Sequence, residues 1–154
     1  MPENPTNEEV ARSYARASSE LDDETLASLR HPDWQVRWPQ SGERVLGTEA
    51  FRAITDHYPG GRPSAEVERV VGVEDRWVVT AANNVLRVAG GGDFWWCEWR
   101  MTYPDGRVWD CVDLLELRDG KVWRETVYWA TPFDAPSWRR QWVELEAGAS
   151  QSAR

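Results

Sequence analysis

The chain has 154 residues, 26 acidic and 18 basic, so its formal net charge is −8. That length suits one domain burying roughly two-thirds of its unfolded surface. The acid excess argues against nucleic acid or an anionic membrane as partner, since both require a basic face. No stretch approaches the roughly 18 apolar residues of a membrane-spanning helix. The start, MPENPTNEEV, lacks the basic and apolar regions of a secretory leader, so a cytoplasmic location is expected. Residues 1–26 hold seven acids and two arginines, hence −5 of the −8, which reads as a charged helical face.

A single domain is predicted over 8–146, with flexible ends at 1–7 and 147–154. Thr6, with Glu9 three residues on, forms a capping box for a first helix carrying Val10, Tyr14, Ala17 and Leu21 at helical spacing. Asp22 or Asp23 caps a short second helix whose buried residues are Leu26 and Leu29. A strand follows, with Trp34, Val36 and Trp38 on one face and Pro39 at its end. Gly42 and Gly47 bracket a loop. Thr48 then caps a third helix bearing Phe51, Ile54 and Tyr58, which ends at Pro59-Gly60-Gly61.

From there to Thr131 the hydrophobic period is two, giving strands near 64–73, 76–89, 93–103, 107–118 and 121–131. Their connections are Glu74-Asp75, Gly90-Gly91-Gly92, Pro104-Asp105-Gly106 and Arg118-Asp119-Gly120, short enough for the last four strands to form an antiparallel meander. After Pro132, Asp134-Ala135-Pro136 opens a closing helix with Trp138, Trp142 and Leu145 on one stripe, predicted to cover the sheet or a partner subunit. Helices first and a long antiparallel sheet afterwards define an α+β fold in which the sheet curls around the helices and leaves a pocket. Eleven tryptophans either line that pocket or fill it.

Register decides which side chains meet there. A three-residue Pro-Asp-Gly hairpin sets Tyr103 opposite Arg107, hence Trp99 opposite Cys111 and Cys97 opposite Asp113. If Arg118-Asp119-Gly120 forms the same loop, Asp113 lies opposite Glu125 and Cys111 opposite Val127. A two-residue turn at either place reverses the parity and separates the two acids. In the first register one face carries Trp95, Cys97, Trp99, Met101, Trp109, Cys111, Asp113, Leu115, Leu117, Trp123, Glu125, Val127 and Trp129. Its two ionisable acids, Asp113 and Glu125, cannot both ionise readily in an apolar cavity, so one holds its proton and the pair is equipped for acid/base work. The alternative is structural: Asp113 as a core acid satisfied by Tyr14, and Glu125 paired with an arginine at the rim.

The element order, the segment HPDWQVRWPQSGERVLG and the ending LLELRDGKVWRETVYWATPF resemble the nuclear transport factor 2-like superfamily, in its SnoaL-like branch, akin to polyketide cyclases, ketosteroid isomerases and limonene epoxide hydrolases. The resemblance spans about 8–146 and implies a cone-shaped α+β barrel, with N-terminal helices packed in a strongly curved, mostly antiparallel sheet. It places Asp113 where ketosteroid isomerases keep a protonated aspartic acid, a case known to general enzymology, and Tyr14 where they keep an oxyanion-hole tyrosine. Trp38 stands where they carry the aspartate base, and Val127 where epoxide hydrolases carry an aspartate.

The catalytic candidates are therefore Asp113, Tyr14 and Glu125. The expected pocket lining is Trp34, Trp38, Phe51, Cys97, Trp99, Trp109, Cys111, Val127 and Trp129, with Arg44 and Arg62 as candidates for the mouth. Cys97 and Cys111 read as reduced, buried thiols. His31 reads as a turn residue and His57 as a helix-end residue, neither at metal-ligand spacing, so no metal and no cofactor is expected. Gly90-Gly91-Gly92 precedes no helix, and Ser41 has no histidine placed to activate it.

The resulting expectation is a cofactor-independent isomerase, cyclase, dehydratase or hydrolase acting on a small apolar carbonyl or epoxide substrate. The alternatives are a hydrophobic-ligand binder or a dimeric interaction module of the same fold. A homodimer is expected throughout.

Overall fold

The computed structural model describes residues 4–72, 76–79, 85–88 and 92–146. Helix α1 (Asn7–Glu20) begins at the capping box: the Thr6 hydroxyl accepts from the Glu9 amide, and the Thr6 amide donates to the Glu9 carboxylate at 2.8 Å. Its buried face is Val10, Ala11, Tyr14, Ala15 and Ala17. Leu21 is not on that stripe. It is the left-handed C-cap, φ 56°, and is largely exposed. Helix α2 (Asp23–Leu29) is capped by Asp22, whose carboxylate accepts from the Thr25 amide; Leu26 is buried and Leu29 packs half-buried beside it.

Among the described residues, six strands form one sheet in the order β2-β1-β8-β7-β6-β3. These are β1 (Arg30–Trp38), β2 (Glu43–Leu46), β3 (Ser64–Gly72), β6 (Phe94–Thr102), β7 (Val108–Arg118) and β8 (Lys121–Ala130). All pairs are antiparallel except β1 with β8, so the sheet is mixed. It curls around α1 into a half-barrel, the cone-shaped α+β architecture expected. Helix α3 (Thr48–Asp56) closes the open side, with Phe51 packed against the core.

Four expectations change. The bracket Gly42 to Gly47 contains a strand, β2, which pairs with β1 as a hairpin. Gly47, not Thr48, is the N-cap of α3, and no side chain caps it. The segment 76–89 is not one strand: β4 (Arg76–Val79) and β5 (Val85–Val88) pair with each other as a separate two-stranded sheet. The sequence between them, Ala81-Ala82-Asn83-Asn84, is made of residue types depleted in strands. The meander is therefore β6-β7-β8, and β3 takes the place beside β6. The closing segment forms only a short 3₁₀ helix (Ser137–Trp142), with Trp138 71%, Trp142 72% and Leu145 58% exposed. With these apolar side chains unburied among the described residues, so short a segment gains too little to hold an α-helix. The predicted turn Glu74-Asp75, Gly90-Gly91 and the tail 147–154 lie outside the described residues.

The two hairpin turns differ. Pro104-Asp105-Gly106 is the three-residue loop: the Tyr103 amide donates to the Arg107 carbonyl, and Gly106 takes φ 83°. In the second, Arg118 pairs with Lys121 across a two-residue turn whose Asp119 and Gly120 both have positive φ. Alone, that turn would put Glu125 on the outer face. A bulge corrects it: Leu117 pairs with Val122 but Glu116 pairs with Arg124, so Trp123 is the extra residue. Val122 moves inward and is fully buried. Trp123 lies instead beneath the guanidinium groups of Arg118 and Arg124, 4.6 and 4.7 Å from its ring.

Deleting Trp123 closes the bulge without changing any neighbour's face, whereas deleting Val122 forces the indole of Trp123 inward opposite Leu117. Thermal unfolding is expected to show the second deletion less stable than the first by about 1–3 kcal/mol, the range for overpacking. Equal losses would contradict this account of the bulge.

Candidate functional site

The half-barrel encloses a cavity of about 170 Å³ between α1, α2, α3 and the concave face of the sheet. Helix α1 contributes Tyr14. Strand β1 contributes Arg30, Val36 and Trp38, and α3 contributes Phe51, Ile54 and Thr55. Strands β6, β7 and β8 bring Trp99, Cys111, Asp113, Glu125, Val127 and Trp129. At the mouth Arg62 joins Asp23 of α2 at 2.8 Å to Asp56 of α3 at 2.5 Å, tying the two helices together. Arg44 is elsewhere, in an outer groove of β1 and β2.

Asp113 and Glu125 share the cavity but are not opposite each other. The two-residue turn and the bulge each shift β8 by one residue relative to the expected register, so Asp113 pairs with Val127 and Glu125 with Leu115. The two acids are diagonal neighbours on one face, a spacing of roughly 7–8 Å between positions. Both are buried, Asp113 at 7% and Glu125 at 5% exposure. The third charged group is Arg30, 8% exposed. Its guanidinium lies 3.8 Å from the Trp34 ring and 5.0 Å from Phe51, and its Nε donates to the Tyr14 hydroxyl at 2.7 Å. Tyr14 and Glu125 line the same cavity.

Three expected lining residues lie behind the wall. Trp34 is buried under Arg30 and edge-on to Phe51, 5.5 Å between rings. Cys97 is fully enclosed by α1 and the sheet. Trp109, near the hairpin end, packs on Tyr103 at 6.1 Å. Concave-face register is not sufficient for lining, because each of these side chains packs against the core or its neighbours instead. The thiols are free and buried; burial pushes Cys111 up to about 12 and Cys97 higher, so both stay protonated. His31 accepts from the Asp33 amide beside the second turn, and His57 caps α3. Among the described residues no three His, Cys, Asp or Glu side chains converge as a metal would require.

The electrostatics follow from burial. Desolvation, then the charge of Glu125, holds Asp113 well above the ordinary aspartate range, with Arg30 opposing. Glu125 is also raised by burial, but Arg30 and the Tyr14 hydroxyl pull it back. Tyr14 is pushed well above the usual phenol range, mainly by burial and by the Glu125 charge. Glu125 thus ionises first and Asp113 keeps the proton. Among the described residues one oxygen of Asp113, Oδ1, is buried with no hydrogen-bond partner, as are the indole nitrogens of Trp34, Trp99 and Trp129. Such orphaned groups are uncommon in folded proteins and point to a site whose polar contacts come from elsewhere.

Sequence reasoning missed Arg30. It sits outside the alternation beginning at Trp34, because β1 starts four residues earlier and slips against β8 between Arg30 and Gln35. A usable signal was the spacing Arg30, Trp34, Val36, all even-numbered and buried.

The chain belongs to the SnoaL-like domain family, whose model matches residues 10–125. A protein of unknown function from Burkholderia xenovorans, similar to nuclear transport factor 2, is 32% identical over 92% of this chain and 95% of that one, with a TM-score of 0.68. A protein from Kribbella flavida proposed to be a ketosteroid isomerase is 24% identical over 93% and 92%, TM-score 0.70. TerC, co-crystallised with polyporic acid, is 19% identical over 80% and 91%, TM-score 0.58. No curated protein sequence matches at a significant level. Among the described residues no helix is long and apolar enough to cross a membrane.

Folded Asp113 binds its proton more tightly than the unfolded chain does. Its contribution to stability is therefore complete below the ordinary aspartate range and is lost as pH rises through the folded titration. Denaturant unfolding at pH values rising above the ordinary aspartate range is expected to show wild type losing stability, and Asp113→Asn losing less, by up to about 1.4 kcal/mol per pH unit, the slope of one proton. Parallel curves would contradict a raised Asp113.

Proposed function

We propose that this SnoaL-like chain is a cofactor-independent enzyme acting on a small apolar substrate that carries a carbonyl or epoxide oxygen, by isomerisation, cyclisation, dehydration or hydrolysis. The observation that carries the proposal is a pair of buried carboxyls on one cavity wall, biased toward opposite protonation states, the protonated one keeping an unpartnered oxygen. Asp113 donates a hydrogen bond or a proton to the substrate oxygen, where charge develops. Glu125 takes or returns a proton. Tyr14, whose hydroxyl accepts from Arg30, assists with the proton it still has to donate. Trp38, Trp99 and Trp129 with Phe51 give an apolar shape and keep water from the acids. Trp38 and Val127, at the positions where related enzymes carry carboxylates, are apolar here, so Glu125 is the second acid.

The test is a panel of small apolar ketones, enones and epoxides assayed on wild type and Asp113→Asn. The variant is expected to lose about 10²-fold or more in kcat on any substrate turned over, with ligand affinity changed far less. Unchanged kcat rejects the acid role, and tight ligand binding without turnover by wild type identifies a binding protein instead.

We also propose a homodimer, supported by the apolar side chains left exposed on one flank: Phe133, Trp138, Trp142 and Leu145, with the cross-strand pair Val112 and Tyr128 on the outer sheet face. Sedimentation at micromolar concentration is expected to give a dimer that Trp138→Ser with Trp142→Ser dissociates. A wild-type monomer would reject it.

A further inference from the structure

Among the described residues, the cavity wall holds more hydrogen-bond donors than it uses. Arg30 lines it with 8% exposure, and its Nε is spent on the Tyr14 hydroxyl at 2.7 Å. Its two terminal nitrogens have no hydrogen bond and no ion pair among the described residues, although a buried guanidinium is costly without an anion close by. The group is nonetheless held in place. It lies 3.8 Å from the Trp34 ring and 5.0 Å from Phe51, and stacking of this kind covers the faces of a guanidinium while leaving its in-plane N–H directions open. On the same wall the indole nitrogens of Trp99 and Trp129 are also donors without acceptors. The volume sets the size of what these donors would meet: about 170 Å³, close to the roughly 150 Å³ of a cavity that holds benzene.

We propose that this cavity takes a single-ring organic acid, with the ligand's carboxylate on the terminal nitrogens of Arg30 and its ring against Trp38, Phe51, Trp99 and Trp129. The inference rests on the reading of the cavity as a small-molecule site given above and names the ligand class; it requires no particular reaction. A carboxylate matches the two-pronged edge of a guanidinium, which a lone ketone or epoxide oxygen does not. The charge count permits it. Around Arg30 the groups that titrate or carry charge are Tyr14 from α1, Asp113 from β7, Glu125 from β8 and the protonated thiols Cys97 and Cys111 from β6 and β7. At the mouth Tyr58 shares a hydrogen bond with Tyr103, and Asp23, Arg62 and Asp56 are paired with one another. One cation supports one anion, so with a carboxylate on Arg30 both cavity carboxyls are neutral. Binding of the anion therefore takes up one proton, which goes to whichever of Asp113 and Glu125 was ionised. Burial raises both carboxyls, which favours that uptake. Asp113, with its unpartnered oxygen, is left to meet a further polar group on the ring.

The experiment compares benzoate with acetophenone, a neutral ring of similar size, by titration calorimetry on wild type, Arg30→Met and Arg30→Lys. At pH 6 benzoate is expected to bind wild type about tenfold or more tightly than acetophenone. From about pH 6 to 8, where an ordinary carboxylic acid is ionised, its affinity is expected to fall about tenfold per pH unit, the mark of one proton taken up, while that of acetophenone changes far less. Arg30→Met is expected to weaken benzoate by about 10- to 100-fold and acetophenone by less than about threefold, with Arg30→Lys between. Benzoate binding unmoved in folded Arg30→Met overturns the proposal, as does a benzoate affinity level with pH. Acetophenone binding wild type at least as tightly as benzoate at pH 6 also overturns it, a comparison that needs no variant to fold; the carbonyl-substrate reading would survive that result. Binding of neither probe overturns the acid site and the pocket reading together. If benzoate binds as expected while wild type turns over nothing in the substrate panel, the catalytic reading fails and the acid site stands.

Discussion

Two carboxyls and one guanidinium buried in one apolar cavity can coexist only if their charges nearly cancel. One cation supports one anion, so the second carboxyl must keep its proton. The structure meets this condition with four residues from four elements: Tyr14 on α1, Arg30 on β1, Asp113 on β7 and Glu125 on β8. The condition also explains why Tyr14 is buried despite its hydroxyl, since that oxygen accepts from Arg30. Remove any member and the others are left with an uncompensated charge or an unmade hydrogen bond in a place water does not easily reach.

Two irregularities of the sheet make the arrangement possible. The extra residue in β8 returns Glu125 to the concave face after a turn that would have sent it out, and the slip between β1 and β8 brings Arg30 inward at the very start of its strand. Without the bulge the concave face would carry Asp113 but not Glu125. Bulges of this kind commonly re-aim a side chain beside a site, and here the discarded residue, Trp123, is stabilised outside by two arginines. The aromatic wall then supplies the low dielectric that separates the protonation behaviour of the two acids.

Much of this was legible in the chain itself. The capping box at Thr6, the helical stripe ending in Tyr14, the period-two stretches and the Pro104-Asp105-Gly106 loop fix the α+β order and the pairing of Cys97 with Asp113. The order of helices and sheet already implied the curl, and the family resemblance added its cone shape. What was not legible depends on contacts distant in sequence. The second turn is two residues plus a bulge, and Val122 and Trp123 compete for one inward position that only the packing around Leu117 decides. Arg30 was hidden because a charged residue at a helix–strand junction reads as solvent-facing until Trp34 and Phe51 are seen to enclose it. Trp109 and Cys97 have the right face, yet Trp109 packs on Tyr103 and Cys97 is enclosed in the core, so neither lines the cavity.

Whether Asp113 keeps its proton among the tryptophans is the point on which the account stands. Trp99 and Trp129 line the same cavity as Asp113, so intrinsic fluorescence reports its charge. A titration from about pH 4 to 9, comparing wild type with Asp113→Asn, is predicted to show a wild-type transition above the ordinary carboxylate range that the variant lacks. A featureless curve in both proteins, or the same transition in both, would contradict a proton held by Asp113 in this cavity.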